Sequence, residues 1–223
     1  MRRLVTVSGG LDSAVLLADQ VEKAGRDRVV GLFIDLGQRT RRQERRAARA
    51  VASVHGVPLR ELRVGSVGRY LNLPRIVPRD PDTAFVANRD ILIAGIAGVV
   101  AVHEQLDLIA IGSVGTDYHP AHRPEFLDAL NRASDLANEG YWQPQIIAPL
   151  LGMRKADVAA AAGPEASLTW TCWDRQRPVC FDCSTCKSRL DGFAEAGIPD
   201  PLDPRCQPST LRPTWRYLGG RTL

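Results

Sequence analysis

The chain has 223 residues, with 29 Lys and Arg against 25 Asp and Glu, a formal net charge of +4, 44% apolar residues, 24% charged residues and five cysteines. A chain of this length buries a sizeable core without disulfide staples, as one domain or one domain with a small appendage. The composition excludes a disordered tail, a collagen-like fibre and a coiled-coil rod, and the longest apolar run, from Ile91 to Val102, is too short to cross a bilayer.

Taken in chain order, β-branched apolar runs alternate with stretches of helical period, the pattern of a parallel sheet with crossover helices. Residues 4–7 read as a first strand. Leu11, Val15, Ala18, Val21 and Ala24 line one face of a helix that stops at Gly25. A second strand is expected over 29–35, then a helix over 41–55 with Ala47, Ala48, Val51 and Val54 inward. Residues 59–64 alternate apolar with charged positions, as an edge strand does. The stretch 65–86, with Pro74, Pro78 and Pro81, has no period and predicts an irregular excursion. A buried apolar helix follows over 89–104, a buried strand over 108–112, and a helix over 124–139 with Phe126, Leu127, Leu130, Ala133, Leu136 and Ala137 on one side. A short strand is expected at 146–148.

After Met153 come an Ala-rich helix, a cysteine cluster, one more helix and a Pro-rich tail. The reading is a doubly wound α/β unit over residues 1–152 and a metal-braced carboxyl-terminal region over 153–223. Arg2 and Arg3 lead directly into the first strand, so no signal or transit peptide is expected. With four cysteines gathered in one short segment, this predicts a cytoplasmic, reduced protein.

Between the first strand and the first helix stands Ser8-Gly9-Gly10-Leu11-Asp12-Ser13. Glycines let backbone N–H groups approach a phosphate, serine hydroxyls add donors, and the helix amino terminus supplies a favourable dipole. Asp12 would repel phosphate unless a divalent cation sits between them, so its natural role there is through Mg²⁺. A tight turn with Ser8 or Asp12 as a helix cap is the plainer reading of the serine and glycines alone. The Gly-Lys-Ser/Thr ending of a Walker A loop is absent.

The second signal is Cys172, Cys180, Cys183 and Cys186, a C-x7-C-x2-C-x2-C cluster. Four thiolates at this spacing match tetrahedral zinc with no open coordination position, hence a structural ion. An iron–sulfur cluster is the competing reading. Cys206 stands apart as a free thiol. His119 and His122 have the spacing of a metal pair, but without a third ligand one of them fits better as a wall of a substrate pocket. Arg39, Arg41, Arg42, Arg45, Arg46 and Arg49, interleaved with Gln43 and Glu44 at helical spacing, read as a solvated face, so a nucleic-acid partner is not expected.

The hexapeptide resembles the pyrophosphate loop of the ATP pyrophosphatase superfamily. The segment from Thr169-Trp170-Thr171-Cys172 through Cys180, Cys183, Ser184 and Cys186 to Arg189, Gly192-Phe193 and Ala196-Gly197-Ile198-Pro199-Asp200-Pro201 resembles the carboxyl-terminal signature of the QueC family, the 7-cyano-7-deazaguanine synthases. Other blocks agree in order. Asp35-Leu36-Gly37-Gln38-Arg39 is similar to the family's Tyr-Gly-Gln-Arg-His, residues 85–90 to its Phe-Val-Pro-Gly-Arg-Asn, and Ala148-Pro149-Leu150 with Lys155-Ala156-Asp157 to its Pro-Leu and Lys-Ala-Glu.

The resemblance implies an adenine nucleotide α-hydrolase-like fold and an ATP-dependent carbon–nitrogen ligase using Mg²⁺ and zinc. Its substrates would be ATP, ammonia and a carboxylate-bearing deazapurine, and the enzyme a homodimer without membrane attachment. Ser8, Gly9, Gly10, Leu11, Ser13, Gln38 and Arg39 would face the nucleotide, Asp12 the Mg²⁺, and Arg89, Arg123 and Lys155 would stabilise charge.

The chain departs from the family where Asp117-Tyr118-His119-Pro120-Ala121-His122-Arg123 runs two residues shorter, with Ala121 and His122 in place of Asp and Cys, and where Asp90 replaces Asn. Losing a carboxylate that reads N–H donors leaves the acceptor open. A related deazapurine or a protein terminus stands as the alternative acceptor, and a tRNA-modifying ATP pyrophosphatase as the more distant one.

Overall fold

The computed structural model describes residues 1–71, 79, 86–115, 122–174 and 179–205. Five strands pair in parallel: β1 (Arg3–Thr6), β2 (Val29–Asp35), β3 (Leu59–Arg63), β4 (Leu108–Ala110) and β5 (Gln145–Ile147). Their order is β3-β2-β1-β4-β5. Parallel neighbours need crossovers, and six α-helices stand among the described residues: α1 (Leu11–Ala24), α2 (Arg41–Val54), α3 (Arg89–Glu104), α4 (Pro124–Ala137), α5 (Lys155–Ala161) and α6 (Ser184–Glu195). Strand order reverses between β1 and β4, and in open parallel sheets that switch point is where ligands bind, beyond the carboxyl ends of the strands.

The strand period of two sorts side chains to the two faces. Val5, Phe33 and Ala110 point into one core with Leu16 and Leu17 of α1 and Ala48 and Val51 of α2. Their neighbours Leu4, Leu32 and Ile109 point into the other, against Ala94, Ala97 and Ala101 of α3. Both faces are covered, so β1, β2 and β4 read as nearly continuous apolar runs. β3, the edge strand expected from its charges, has no fully buried residue.

Several side chains expected inside are outside. Val54 and Leu136 are exposed, each in the last turn of its helix, and the packed face of α2 runs through Ala52 instead. α3 is not buried all round. Its alanine stripe meets the sheet, while Ile91 and Val99 are 52% and 72% exposed. The arginine face of α2 is only partly solvated. Arg45 is tucked against Asp35 at 2.5 Å and Glu61 at 3.4 Å, and Arg49 grips Glu61 with two hydrogen bonds of 2.6 and 2.9 Å.

α5 packs on α1 and against α6. Arg189 on α6 makes a buried two-pronged ion pair with Asp200 at 2.7 and 2.8 Å. It also donates to Thr169 Oγ1 and to the carbonyl of Ala166, so one guanidinium ties α6, the stretch before the cysteines and the chain after it. The prolines of the expected excursion, together with His119, Ala121, Cys206 and the part of the Pro-rich tail beyond Arg205, lie outside the described residues. No helix among the described residues is long and apolar enough to cross a membrane.

Candidate active site

The loop after β1 folds on itself. Gly9 has φ +86°, and a Cβ there would stand 2.3 Å from the carbonyl oxygen of Glu44, so only glycine lets α2 press onto the loop. The Gly9 N–H donates to Ser13 Oγ at 3.2 Å and the Gly10 N–H to Ser8 Oγ at 3.3 Å, while Ser13 Oγ donates to the carbonyl of Gly10 at 2.9 Å. Gly10 is the N-cap of α1. The first amides of a helix have no intrahelical acceptor, so the loop presents N–H groups and two hydroxyls at the positive end of a helix dipole. An anion placed there finds donors that now bond weakly within the loop.

Beside the loop lies a cavity of about 370 Å³. Its walls come from Ser8, Gly10, Asp12 and Ser13 of the loop, from Leu32, Phe33 and Ile34 of β2 and Leu36 just beyond it, and from Gln38, Thr40 and Glu44 around the start of α2. Arg89 and Asp90 of α3, Ser113 beyond β4, His122, and Trp170, Thr171, Trp173 and Thr185 beside the cysteines complete it. It opens at the carboxyl ends of β1, β2 and β4, across the switch point.

Most of the expected site residues meet here. Ser8, Gly10, Asp12, Ser13, Gln38 and Arg89 line the cavity, and Gly9 supports the loop from beneath. Lys155 Nζ donates to both oxygens of Asp12 at 2.8 Å each, so it reaches the site through Asp12 rather than as a wall. Leu11 is buried in the core under α1, while Arg39 and Arg123 are not among the lining residues; Arg123 is exposed at the N-cap of α4.

Glu44 was legible only as part of a solvated face, yet its side chain turns into the cavity. Thr40 Oγ1 donates to Oε1 at 2.5 Å and Gln38 Nε2 to Oε2 at 2.7 Å. Burial pushes its carboxyl above the usual carboxylate range, against these two hydrogen bonds and the positive charge of Arg89, which pull it down. The signal available in sequence was local: Thr40 and Glu44 are one helical turn apart.

The sulfur atoms of Cys172, Cys180, Cys183 and Cys186 all lie within 4.8 Å of one another. Backbone amides point at them: Asp174 N–H and Cys180 N–H at Cys172 Sγ, 3.2 and 3.3 Å, and Cys183 N–H at Cys180 Sγ, 3.3 Å. Phe181 takes φ +55° to close the knuckle between Cys180 and Cys183. Hydrogen bonds from Cys172 and Cys186 hold the Cys183 thiol far below its ordinary value. The bond to Cys183 pushes Cys172 up to about 12, and bonds to both push Cys186 up as well. Thiolates gathered this closely repel one another; a cation is what allows all four to ionise together, and the donor set fits one. The cluster is tied to the glycine loop, since the Trp170 N–H donates to the Gly9 carbonyl at 2.8 Å and the Trp170 indole to the Cys172 carbonyl at 2.7 Å.

Residues 2–197 match the model of the family described as "Queuosine biosynthesis protein QueC". A 7-cyano-7-deazaguanine synthase of Rhizobium johnstonii is 33% identical over 90% of this chain and 91% of its own length. One from Chromobacterium violaceum is 33% identical over 92% of this chain and 94% of its own. Among solved structures, the U34-tRNA thiolase NcsA from Methanococcus maripaludis, solved with its [4Fe-4S] cluster, superposes with a TM-score of 0.53. It is 18% identical and the match covers 91% of this chain and 68% of that one, a likeness of fold alone. The sheet order, the glycine loop at the switch point and the four-cysteine knuckle beside it are thus found in a chain that belongs to the QueC family.

Proposed function

We propose that the chain is an ATP-dependent 7-cyano-7-deazaguanine synthase, making the nitrile from 7-carboxy-7-deazaguanine and ammonia. The observation that carries this is the cavity itself: the anion-binding loop of α1 forms one wall and the cysteine-bearing segment another, so phosphates and a planar acceptor would share one open cleft. The family membership of the chain supports the same reaction.

A carboxylate is a poor acyl donor. Its oxygen would attack the α-phosphorus of ATP, giving an acyl-adenylate and releasing pyrophosphate. Ammonia adds to the acyl carbon, AMP leaves and a proton is lost, giving the amide. The amide oxygen then attacks a second ATP in the same way, and loss of AMP and a proton leaves the nitrile. No protein nucleophile is needed, so the chain's work is alignment and charge stabilisation. Ser8, Gly9, Gly10 and Ser13 would hold the phosphates, Asp12 would face the Mg²⁺ with Lys155 orienting it, and Arg89 on the cavity wall would offset charge on the departing pyrophosphate, whereas Arg123, exposed and off the wall, is given no part. Gln38, on the cavity wall, would flank the nucleotide, and Arg39, off that wall, is given no contact with it. Magnesium supplies neutralisation of the triphosphate.

We assign the cysteine site to a single structural zinc. Zinc–sulfur bonds of about 2.3 Å put tetrahedral sulfurs about 3.8 Å apart. A set already gathered within 4.8 Å closes onto one ion with little movement, whereas an iron–sulfur cubane holds its cysteines at four separate corners. The enzyme is taken as a homodimer, which sedimentation analysis checks.

A second reading keeps the adenylation and changes the acceptor. It is favoured by Asp90 and His122, both cavity-lining, which stand where the family pattern has Asn and Cys. Incubation with ATP, Mg²⁺, ammonium and 7-carboxy-7-deazaguanine, followed by mass spectrometry, decides between them. Amide and nitrile support the first reading; pyrophosphate release without either product supports the second.

A further inference from the structure

Two acidic residues with different surroundings stand where β2 meets α2, and of the two only Glu44 lines the cavity. Asp35, the last residue of β2, is neutralised by Arg45 Nη2 at 2.5 Å. Glu44 takes neutral donors, the Thr40 hydroxyl and the Gln38 amide, one on each carboxylate oxygen. Each oxygen keeps capacity for a second donor. The Gln38 amide is itself oriented, because its Oε1 accepts the Leu36 N–H at 2.8 Å. The Glu44 carbonyl abuts Gly9, so the carboxylate stands at a fixed offset from the phosphate loop.

A nucleotide laid in this cavity with its phosphates on the loop meets three kinds of wall. The loop amides suit the phosphates. Leu32, Ile34 and Leu36, with Ile93 and Ile111, give apolar sides for a base. Between phosphate and base lies the sugar, whose two hydroxyls are donors. A carboxylate accepts and does not donate, and it would repel phosphate, so the part of the nucleotide that Glu44 complements is the sugar.

Building on the assignment of this cavity to ATP, we propose that Glu44 reads the ribose diol, accepting hydrogen bonds from the 2′- and 3′-hydroxyls and so selecting ribonucleotides. Thr40 and Gln38 are the clamp that aims it. A purely architectural Glu44 would hold the β2–α2 turn and be indifferent to the sugar.

The test compares Mg²⁺-dependent binding of ATP, 2′-deoxyATP and 3′-deoxyATP to the metal-loaded full chain by titration calorimetry. Hydrogen bonds to a charged acceptor predict that each deoxynucleotide binds wild type about tenfold or more weakly than ATP. In Glu44→Ala, ATP itself weakens by about tenfold and the three nucleotides converge to within about threefold. Wild type that binds all three alike overturns the proposal without any variant, and so does a Glu44→Ala chain that keeps the full discrimination. Should Glu44→Ala not fold, Glu44→Gln substitutes a neutral group of the same shape, and unchanged discrimination there is equally fatal. Failure of wild type to bind ATP at all would instead remove the nucleotide assignment on which the proposal rests.

Discussion

Lys155 Nζ lies 2.8 Å from both carboxylate oxygens of Asp12, joining the first residue of α5 to the first turn of α1. The lysine stem is held from behind by Gly192 of α6, where a Cβ would stand 2.8 Å from Lys155 Cγ and 3.0 Å from its carbonyl oxygen. The flexible stem can shift; the backbone oxygen cannot. Gly192→Ala is therefore expected to cost about 1–3 kcal/mol of stability, the range for overpacking. It should also lower pyrophosphate release more than the stability loss explains, because Lys155 is the atom group displaced. Thermal melts and a pyrophosphate assay on the same preparations check both parts.

The two charges act as one unit in the metal-binding role assigned to Asp12. Removing Lys155 alone leaves a partly buried carboxylate without its cation, and removing Asp12 alone strands the ammonium. Asp12→Asn and Lys155→Met are each expected to reduce adenylation severely, and the double variant to lose much less than the product of the two. A double-mutant cycle on kcat/KM for ATP measures the coupling. Independent, multiplicative losses would mean that the pair seen here does not persist in the working enzyme.

The cysteine site and the glycine loop share a backbone hydrogen bond, Trp170 N–H to Gly9 carbonyl, so metal and nucleotide are expected to be linked. Purified protein should carry about one zinc per chain by elemental analysis. Cys183→Ser, which removes the sulfur that α6 carries at its N-cap, is expected to lose the metal and melt at a lower temperature. Its ATP affinity should fall as well, although no cysteine is assigned to a phosphate. Intact ATP binding in a zinc-free chain would separate the two sites.

The sequence conveyed the order of elements because the strands are short and, apart from the charged edge strand β3, apolar, and because the alternation of faces is carried by neighbours such as Leu4 and Val5. It conveyed the loop and the cysteines because their chemistry is local: six and fifteen consecutive residues hold nearly every atom involved. What it missed depends on tertiary approach. Nothing in the arginine-rich run of α2 distinguishes Glu44 from a surface acid until α2 presses onto Gly9 and turns that residue inward. In the same way Arg45 reads as a solvated charge until β2 places Asp35, and the neighbouring edge strand Glu61, within its reach. The outer side of α3 departs from expectation for the opposite reason. Apolar composition alone says that Ile91 and Val99 should be buried, but only one stripe of a helix can face a sheet.

The raised Glu44 carboxyl makes a signed prediction for the nucleotide-free enzyme. Its ordinary value is 4.5, and burial, the largest influence, moves it upward in the folded chain. A folded value above the unfolded one means that the folded state binds the proton more tightly, so the stability this group contributes is complete below the unfolded value and is lost as pH rises through the folded value. Wild type and Glu44→Gln are therefore expected to keep a constant difference in melting temperature at acid pH. Above about pH 4.5 the wild type should lose ground to Glu44→Gln, and the difference should level off once the carboxyl is fully ionised. Melts of both proteins from about pH 4 to pH 8, in buffers of matched ionic strength, give the curve. A wild type that gains on Glu44→Gln over this range would show that the hydrogen bonds from Thr40 and Gln38 outweigh the burial of the charge.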